Sequence, residues 1–157
     1  MSKLGRGLLR SSAVLLFAAT ALGQAPGSAK THTGVPAKPL IMPAADMKWV
    51  DAPNAPAGVK QVVLWGDPTK GRFGVLEKFP AGFSAPLHSH SSTLRLVIIS
   101  GTVIHGPEGK PDVRLGAGSY LVDPAGYKHT TACDKASECV FFMEGDGKFD
   151  LVPADKK

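Results

Sequence analysis

The sequence has little of what marks several common classes of protein. Aromatic residues make up 7% of its 157 residues, and cysteine occurs only twice. No segment carries the amphipathic repeat that a surface helix needs, so the pattern does not favour a helical protein. A chain of this length has enough apolar material for one hydrophobic core, and we therefore expect a single domain.

Long apolar runs and clustered positive charge are also scarce. The apolar run over residues 13–22 is shorter than the roughly 20 residues that a membrane-spanning helix needs. Three basic residues precede it and small residues follow near Gly23, a pattern typical of a secretory signal peptide over residues 1–23. Removing this segment changes the net charge from +5 to 15 − 13 = +2. We therefore expect a periplasmic or secreted protein with no stable membrane anchor and no nucleic-acid partner.

Proline is concentrated in residues 24–58, which contain six of the 13 prolines and little periodicity before residues 47–50. We expect a tether here, followed by an edge strand near Trp49. An edge strand is also a candidate surface for homodimerisation. His32 lies in the tether, and we interpret it as a solvated linker residue.

From Val59 onward the chain consists of short apolar runs separated by Gly, Pro and Asp. Short strands at this spacing predict an all-β fold, an antiparallel sandwich or barrel. The predicted strands cover residues 61–65, 72–79, 94–100, 102–105, 113–115, 119–122 and 140–144.

Three histidines indicate a metal site. His88 and His90 point to the same side of an extended chain, because residues i and i+2 of a strand share one face. His129 follows a turn at Pro124-Ala125-Gly126 and supplies a third imidazole. A His-x-His pair can also be hydrogen-bonded core, but a third histidine at this position favours a bound metal ion.

Two segments resemble the motifs of the cupin superfamily. Residues 82–101 resemble the first cupin motif, G-x5-H-x-H-x3-E-x6-G, and residues 118–129 match the second, G-x5-P-x-G-x2-H. The resemblance covers residues 59–153. Within it, residues 64–68 and the ending at residues 139–150 are similar to a secreted bacterial cupin subfamily of unknown function. The resemblance implies a double-stranded β-helix, the cupin jelly-roll barrel, over residues 59–157, with the metal inside its mouth.

The chain departs from the cupin pattern at two positions. Leu94 stands where most metal cupins carry a glutamate ligand, so three neutral imidazoles are the expected ligand set. Cys133 stands where an asparagine is often found. It could be a fourth ligand, or it could form a disulfide with Cys139.

The ligand set ranks the candidate metals. Without a carboxylate ligand, hard ions such as Mn²⁺ and Mg²⁺ lose most of their binding affinity. Imidazole nitrogens instead suit Fe, Zn, Cu and Ni. We expect Fe(II) or Zn(II), with Cu or Ni as further candidates. One to three coordination positions would stay open to water, dioxygen or a substrate.

The two cysteines enclose a polar five-residue loop between strand-like segments, which suggests a hairpin. An oxidising compartment would favour a Cys133–Cys139 disulfide. The alternative is two free thiols, with Cys133 near the metal.

The remaining site candidates follow from strand parity. His105 precedes Gly106-Pro107 and is assigned to a surface turn, and Glu77 and Asp123 are likewise interpreted as surface or turn residues. Arg95 is offset by one residue from the side chains of the histidine face, so it should point to the opposite side of the strand. The candidate pocket or ligand-supporting residues, all on the histidine face, are Leu94, Leu96, Ile98, Thr131, Phe141 and Met143.

Two functional hypotheses follow for a small-molecule ligand or substrate. In the first, the protein resembles three-histidine cupin dioxygenases, in which Fe(II) binds a chelating substrate and dioxygen. In the second, the pocket binds a metal or ligand without turnover, as in sensory or storage cupins. A Zn(II)-dependent hydrolase or isomerase is a third hypothesis, with less support from the sequence.

Overall fold

The computed structural model describes residues 38–53 and 55–154. The predicted signal peptide over residues 1–23, His32 and the first part of the tether lie outside the described residues. No helix within the described ranges is long and apolar enough to cross a membrane.

The described part of the chain is built from eleven short β-strands. A single 3-10 turn, Ala44–Asp46, precedes the first of them. The strands are β1 (Val50–Asp51), β2 (Lys60–Gly66), β3 (Phe73–Phe79), β4 (Ser84–Ser89), β5 (Leu94–Ser100), β6 (Val103–Pro107), β7 (Val113–Leu115), β8 (Tyr120–Asp123), β9 (His129–Cys133), β10 (Cys139–Gly145) and β11 (Val152–Pro153).

The strands form two antiparallel sheets. The six-stranded sheet has the order β1-β2-β3-β10-β5-β8, and the five-stranded sheet has the order β11-β4-β9-β6-β7. Strands that follow each other in the sequence often belong to different sheets, which is the crossing pattern of a double-sheet jelly roll. The prediction of an all-β, double-stranded β-helix fold is confirmed.

Strand alternation places the hydrophobic core between the sheets. In β10, Cys139, Phe141 and Met143 are buried, while the residues between them are only partly buried. Val103 from the five-stranded sheet packs into the same cluster. A fully buried side chain of the size of Phe141 contributes about 1.5–3 kcal/mol to folding stability relative to an exposed one. Burial of every second side chain along the strands is therefore a main source of stability.

The predicted strands agree closely with the observed ones. All seven predicted strands are present, with ends that differ by at most two residues. The edge strand expected near residues 47–50 lies slightly later, as β1. β4 and β9 lie outside the seven apolar runs because Pro86 and the short run after His129 weaken their apolar pattern, but the extended chain expected at His88 and the strand-like segment expected before the cysteine loop are both present.

The disulfide prediction is confirmed, but the predicted hairpin is wrong. Cys133 and Cys139 are bonded, with a Cα–Cα distance of 5.8 Å. Cys133 is the last residue of β9, and Cys139 is the first residue of β10. These two strands lie in different sheets and do not pair with each other. The five-residue loop therefore crosses between the sheets, and the disulfide joins them. Because its sulfur is bonded to Cys139, Cys133 is not a fourth metal ligand.

Candidate metal centre

Two neighbouring strands of the five-stranded sheet position the three predicted ligands. His88 in β4 lies directly opposite His129, the first residue of β9. His90 follows the end of β4, and its carbonyl oxygen accepts a hydrogen bond of 2.8 Å from the Gly126 N–H. Gly126 has a φ of +77°, a left-handed conformation that glycine adopts without strain. This turn therefore holds the two sequence motifs together.

Backbone carbonyls fix the orientation of all three imidazoles. A carbonyl oxygen can only accept, so each Nδ1 must carry the hydrogen, and each Nε2 keeps its lone pair for a metal. The three hydrogen bonds run from His88 Nδ1 to Pro86 O (2.6 Å), from His90 Nδ1 to Asp150 O (2.6 Å) and from His129 Nδ1 to Tyr127 O (3.1 Å).

The three rings form a compact, neutral donor set. One ring nitrogen from each of His88, His90 and His129 lies within 4.8 Å of the others, and all three residues are buried. Burial lowers the pKa of each ring, and for His129 burial and the neighbouring His88 lower it to about 3. The rings are therefore neutral at pH 7, which is the form that binds a metal ion. Such a group can hold a divalent metal.

Asp123 contradicts the expectation of a surface or turn residue. It ends β8 in the six-stranded sheet, and only 3% of its surface is exposed. Its Oδ2 atom lies 3.7 Å from His129 Nε2. Burial raises the pKa of this carboxyl to about 6. Position 94, where the motif spacing would place a carboxylate, is a leucine, but a residue of the opposite sheet brings a carboxylate close to His129.

His105 also contradicts its assignment to a surface turn. It lies inside β6 and is 4% exposed, because the strand continues through Pro107. Its Nε2 atom is 3.3 Å from Asp123 Oδ1. His105 Nδ1 and Asp123 Oδ1 are both buried without a hydrogen-bond partner among the described residues. His105, Asp123 and His129 form a second group of potential ligands that shares His129 with the first.

The histidines open onto a cavity between the sheets. The space inside it that the centre of a water molecule can occupy is about 50 Å³. Leu94, Leu96, Thr131, Phe141 and Met143 line it, as strand parity predicts. Ile98 does not, because parity fixes the direction of a side chain but not its depth, and Ile98 packs into the core.

Glu77 is a third residue that sequence reasoning assigned to the surface. It lies in β3, is only 4% exposed and lines the cavity. Burial raises the pKa of its carboxyl to about 8. Glu77 is therefore mainly protonated at pH 7. In this neutral form it can donate a hydrogen bond and supply a proton. Its spacing of two from buried Val75 was the signal that could have placed it on the inner face.

Arg95 lies on the opposite face from the histidines, as expected. Its guanidinium is paired with Asp146, at 3.0 Å, and with Glu144 on the outer side of the six-stranded sheet. This arrangement leaves the cavity walls largely apolar. The polar residues among them are Glu77, His88, His90, Asp123, His129 and Thr131.

Comparisons with known proteins agree with this fold. Residues 35–152 match the family described as "Domain of unknown function (DUF4437)". None of the curated proteins matches the chain significantly.

Three solved structures illustrate the structural likeness. The polyketide cyclase RemF from Streptomyces resistomycificus is 15% identical, with a TM-score of 0.62 over 76% of this chain and 88% of that one. An RmlC-like cupin protein from Ralstonia eutropha JMP134 is 21% identical, with a TM-score of 0.59 over 76% of each chain. The DMSP lyase DddQ from Ruegeria pomeroyi DSS-3 is 21% identical, with a TM-score of 0.52 over 66% of this chain and 57% of that one. At these identities the likeness shows the fold, which is that of the cupins.

Proposed function

The chain belongs to the family described as "Domain of unknown function (DUF4437)", and on this premise we propose that it is a metal-dependent cupin enzyme. The proposed activity is that of a non-haem Fe(II) dioxygenase acting on a small chelating substrate. The observation that carries the proposal is the set of three buried imidazoles whose backbone hydrogen bonds use Nδ1 rather than Nε2, at the wall of a mostly apolar cavity.

The donor chemistry fits a divalent transition metal. His88, His90 and His129 would hold it through neutral nitrogens, which suit Fe and Zn and also Cu and Ni. Three protein ligands leave coordination positions open, the usual mark of a catalytic rather than a structural site. When bound, iron would supply Lewis acidity and one-electron redox chemistry to the substrate.

The cavity favours a small, partly hydrophobic substrate. Side chains such as Leu96, Phe141 and Met143 exclude bulk water and offer no charge to a polyanion or large sugar. Glu77, neutral at pH 7, would donate a hydrogen bond to a substrate oxygen. The proposed substrate is therefore a compact, partly apolar molecule that can chelate the metal.

Metal analysis and oxygen uptake test the proposal. Untagged protein from iron- and zinc-supplemented medium should contain about one metal ion per chain. The Fe(II)-loaded protein should consume oxygen with at least one member of a panel of diketones, thiols and phenolic acids. His90→Ala should remove both properties, whereas His32→Ala, a histidine outside the predicted site, should keep both. An empty wild-type site under these conditions would contradict the proposal.

A second candidate is a Zn(II)-dependent reaction without oxygen, such as hydrolysis or isomerisation. Glu77 favours it, because a buried neutral carboxyl in the cavity is a suitable general acid. The structural relatives named as a cyclase and a lyase indicate that this fold supports such enzymes. Product formation under anaerobic conditions with the zinc form, lost in Glu77→Gln, would select this candidate. Tight metal binding without any turnover would instead support a non-catalytic binding protein.

Location and assembly complete the proposal. The Cys133–Cys139 disulfide is compatible with an oxidising compartment, and we propose export to the periplasm or medium after cleavage near Gly23. The N-terminal sequence of the exported protein tests this.

We also propose a homodimer formed through β1, an edge of the six-stranded sheet, which a mass measurement in solution would reveal.

A further inference from the structure

We infer that Asp123 is the carboxylate ligand of the metal centre, in place of the glutamate that position 94 lacks, and that His105 positions it. This inference rests on the proposed three-histidine metal site and adds an anionic oxygen donor from the opposite sheet.

Strand register places Asp123 where a carboxylate is missing. Leu94 and Asp123 are directly paired partners on the antiparallel strands β5 and β8. Opposite residues of an antiparallel pair point to the same face, with Cβ atoms about 4.5–5.5 Å apart. Both residues line the cavity. A carboxylate on residue 123 can therefore enter the space that a side chain on residue 94 would reach.

The distance to the nearest histidine suits a shared ion. Asp123 Oδ2 is 3.7 Å from His129 Nε2. Two ligand atoms on one tetrahedral metal with bonds of about 2.1 Å are about 3.4 Å apart. A movement of a few tenths of an ångström is therefore enough for Asp123 and His129 to bind the same ion. Asp123 is not grouped with His88 or His90 within 4.8 Å, so its carboxylate must move further toward these two rings to complete a four-ligand set.

Within the part of the chain that the structure describes, no hydrogen bond to Oδ1 offsets the burial of Asp123. Its side chain is almost completely buried, and Oδ1 has no hydrogen-bond partner among the described residues. An isolated carboxylate in such surroundings costs several kcal/mol unless a cation compensates it. Histidine nitrogens with a buried carboxylate oxygen beside them form a donor set that suits a divalent metal.

His105 fits the role of a positioning residue. It does not line the cavity, and its Nε2 atom lies 3.3 Å from Asp123 Oδ1, whereas the other carboxylate oxygen, Oδ2, is the one nearer to His129 Nε2, at 3.7 Å. The rings of His105 and His129 are neighbours, with their centroids 4.7 Å apart. A donated Nε2–H at this position would orient the carboxylate and leave Oδ2 for the metal. The resulting set of three nitrogens and one oxygen reverses the sequence-based argument against Mn²⁺.

Co(II) binding to the full exported chain tests the inference. Affinity is measured by competition with a chelator, and geometry by the visible absorption of the Co(II) form. Asp123→Asn should weaken binding by more than about tenfold, the lower limit for residues that only orient a ligand, and should change the spectrum at saturation. The double variant Asp123→Ala/Leu94→Glu should recover most of the affinity lost in Asp123→Ala. Asp134→Asn, which alters a surface carboxylate, should bind like the wild type.

The outcomes separate this inference from the proposed function. If wild-type protein binds no Co(II), both fail. If wild-type protein binds Co(II) and a folded Asp123→Asn binds equally well with the same spectrum, only the role of Asp123 is refuted. Weaker binding with an unchanged spectrum at saturation would also refute it, as would a folded double variant without recovery.

A crystal structure of Co(II)-loaded wild-type protein decides the question even if the variants do not fold. An Asp123 oxygen at about 2.0–2.2 Å from the ion, the range for carboxylate ligands of zinc, supports the inference. A carboxylate that stays beyond contact distance overturns it.

Discussion

Replacing Glu77 with glutamine should change how the stability of the protein depends on pH. The side chain keeps its shape, but position 77 can no longer ionise. The pKa of Glu77 is raised by burial from 4.5 to about 8. The folded protein therefore retains a proton that the unfolded chain releases at intermediate pH. Consequently, the stability of the wild type falls as pH rises from the unfolded to the folded pKa.

The magnitude follows from the two pKa values. Each pKa unit corresponds to about 1.4 kcal/mol, so the raised pKa of Glu77 implies a loss of about 3 kcal/mol between pH 5 and pH 7.5. The variant, neutral throughout, does not share this loss. The buried histidines and Asp123 titrate in both proteins, so their contributions cancel in the difference.

The assay is urea unfolding at pH 5 and pH 7.5, with a chelator present and the disulfide intact. The free energy of unfolding of Glu77→Gln, relative to the wild type, should rise by about 3 kcal/mol between the two pH values. Glu108→Gln, at a glutamate whose side chain is 54% exposed, serves as the control and should show no comparable rise. A difference for Glu77→Gln that changes by less than about 1 kcal/mol would refute the assignment of a buried, protonated carboxyl.

Three other predictions concern the metal ligands, the disulfide and a motif glycine. Zn(II) at 100 times its dissociation constant should stabilise the wild type by about 2.7 kcal/mol, and thermal unfolding should show no such stabilisation in His88→Ala. Replacing both cysteines with serine should cost about 2 kcal/mol, the value expected for a bridge of sequence separation 6; unchanged urea unfolding would contradict this. Gly101 has a φ of +76°, and an added Cβ would collide with the Glu138 carbonyl. Gly101→Ala should therefore cost about 1–3 kcal/mol, measured by urea unfolding, whereas Gly109→Ala should cost less because its Cβ would meet open space.

The sequence was sufficient for the fold and for the three central histidines. Alternation of apolar residues fixes which side chains face inward, and the His88-Ser89-His90 spacing needs only that periodicity. The turn before His129 is equally local. These features depend on neighbours in the sequence, and local patterns therefore predict them.

The rest of the site depends on which strands meet across the barrel. Asp123 precedes Pro124 and resembles a turn residue, yet its pairing with Leu94 brings it inward. His105 has the same parity as buried Val103, but the following Gly-Pro suggested that the strand had ended. The hairpin expected between the cysteines failed for the same reason, because a short loop does not reveal whether the next strand joins the same sheet.

β9 carries a predicted metal ligand at its first residue and a disulfide cysteine at its last. The two ends of one five-residue strand are thus restrained by different chemistry. Reducing agents and chelators should consequently act together rather than independently, since each removes the restraint at one end of a strand that otherwise depends on its pairing with β4 and β6. Because such coupling is reciprocal, the disulfide-bonded protein should bind the ion more tightly than the reduced protein does, and the bound ion should in turn make the disulfide harder to reduce.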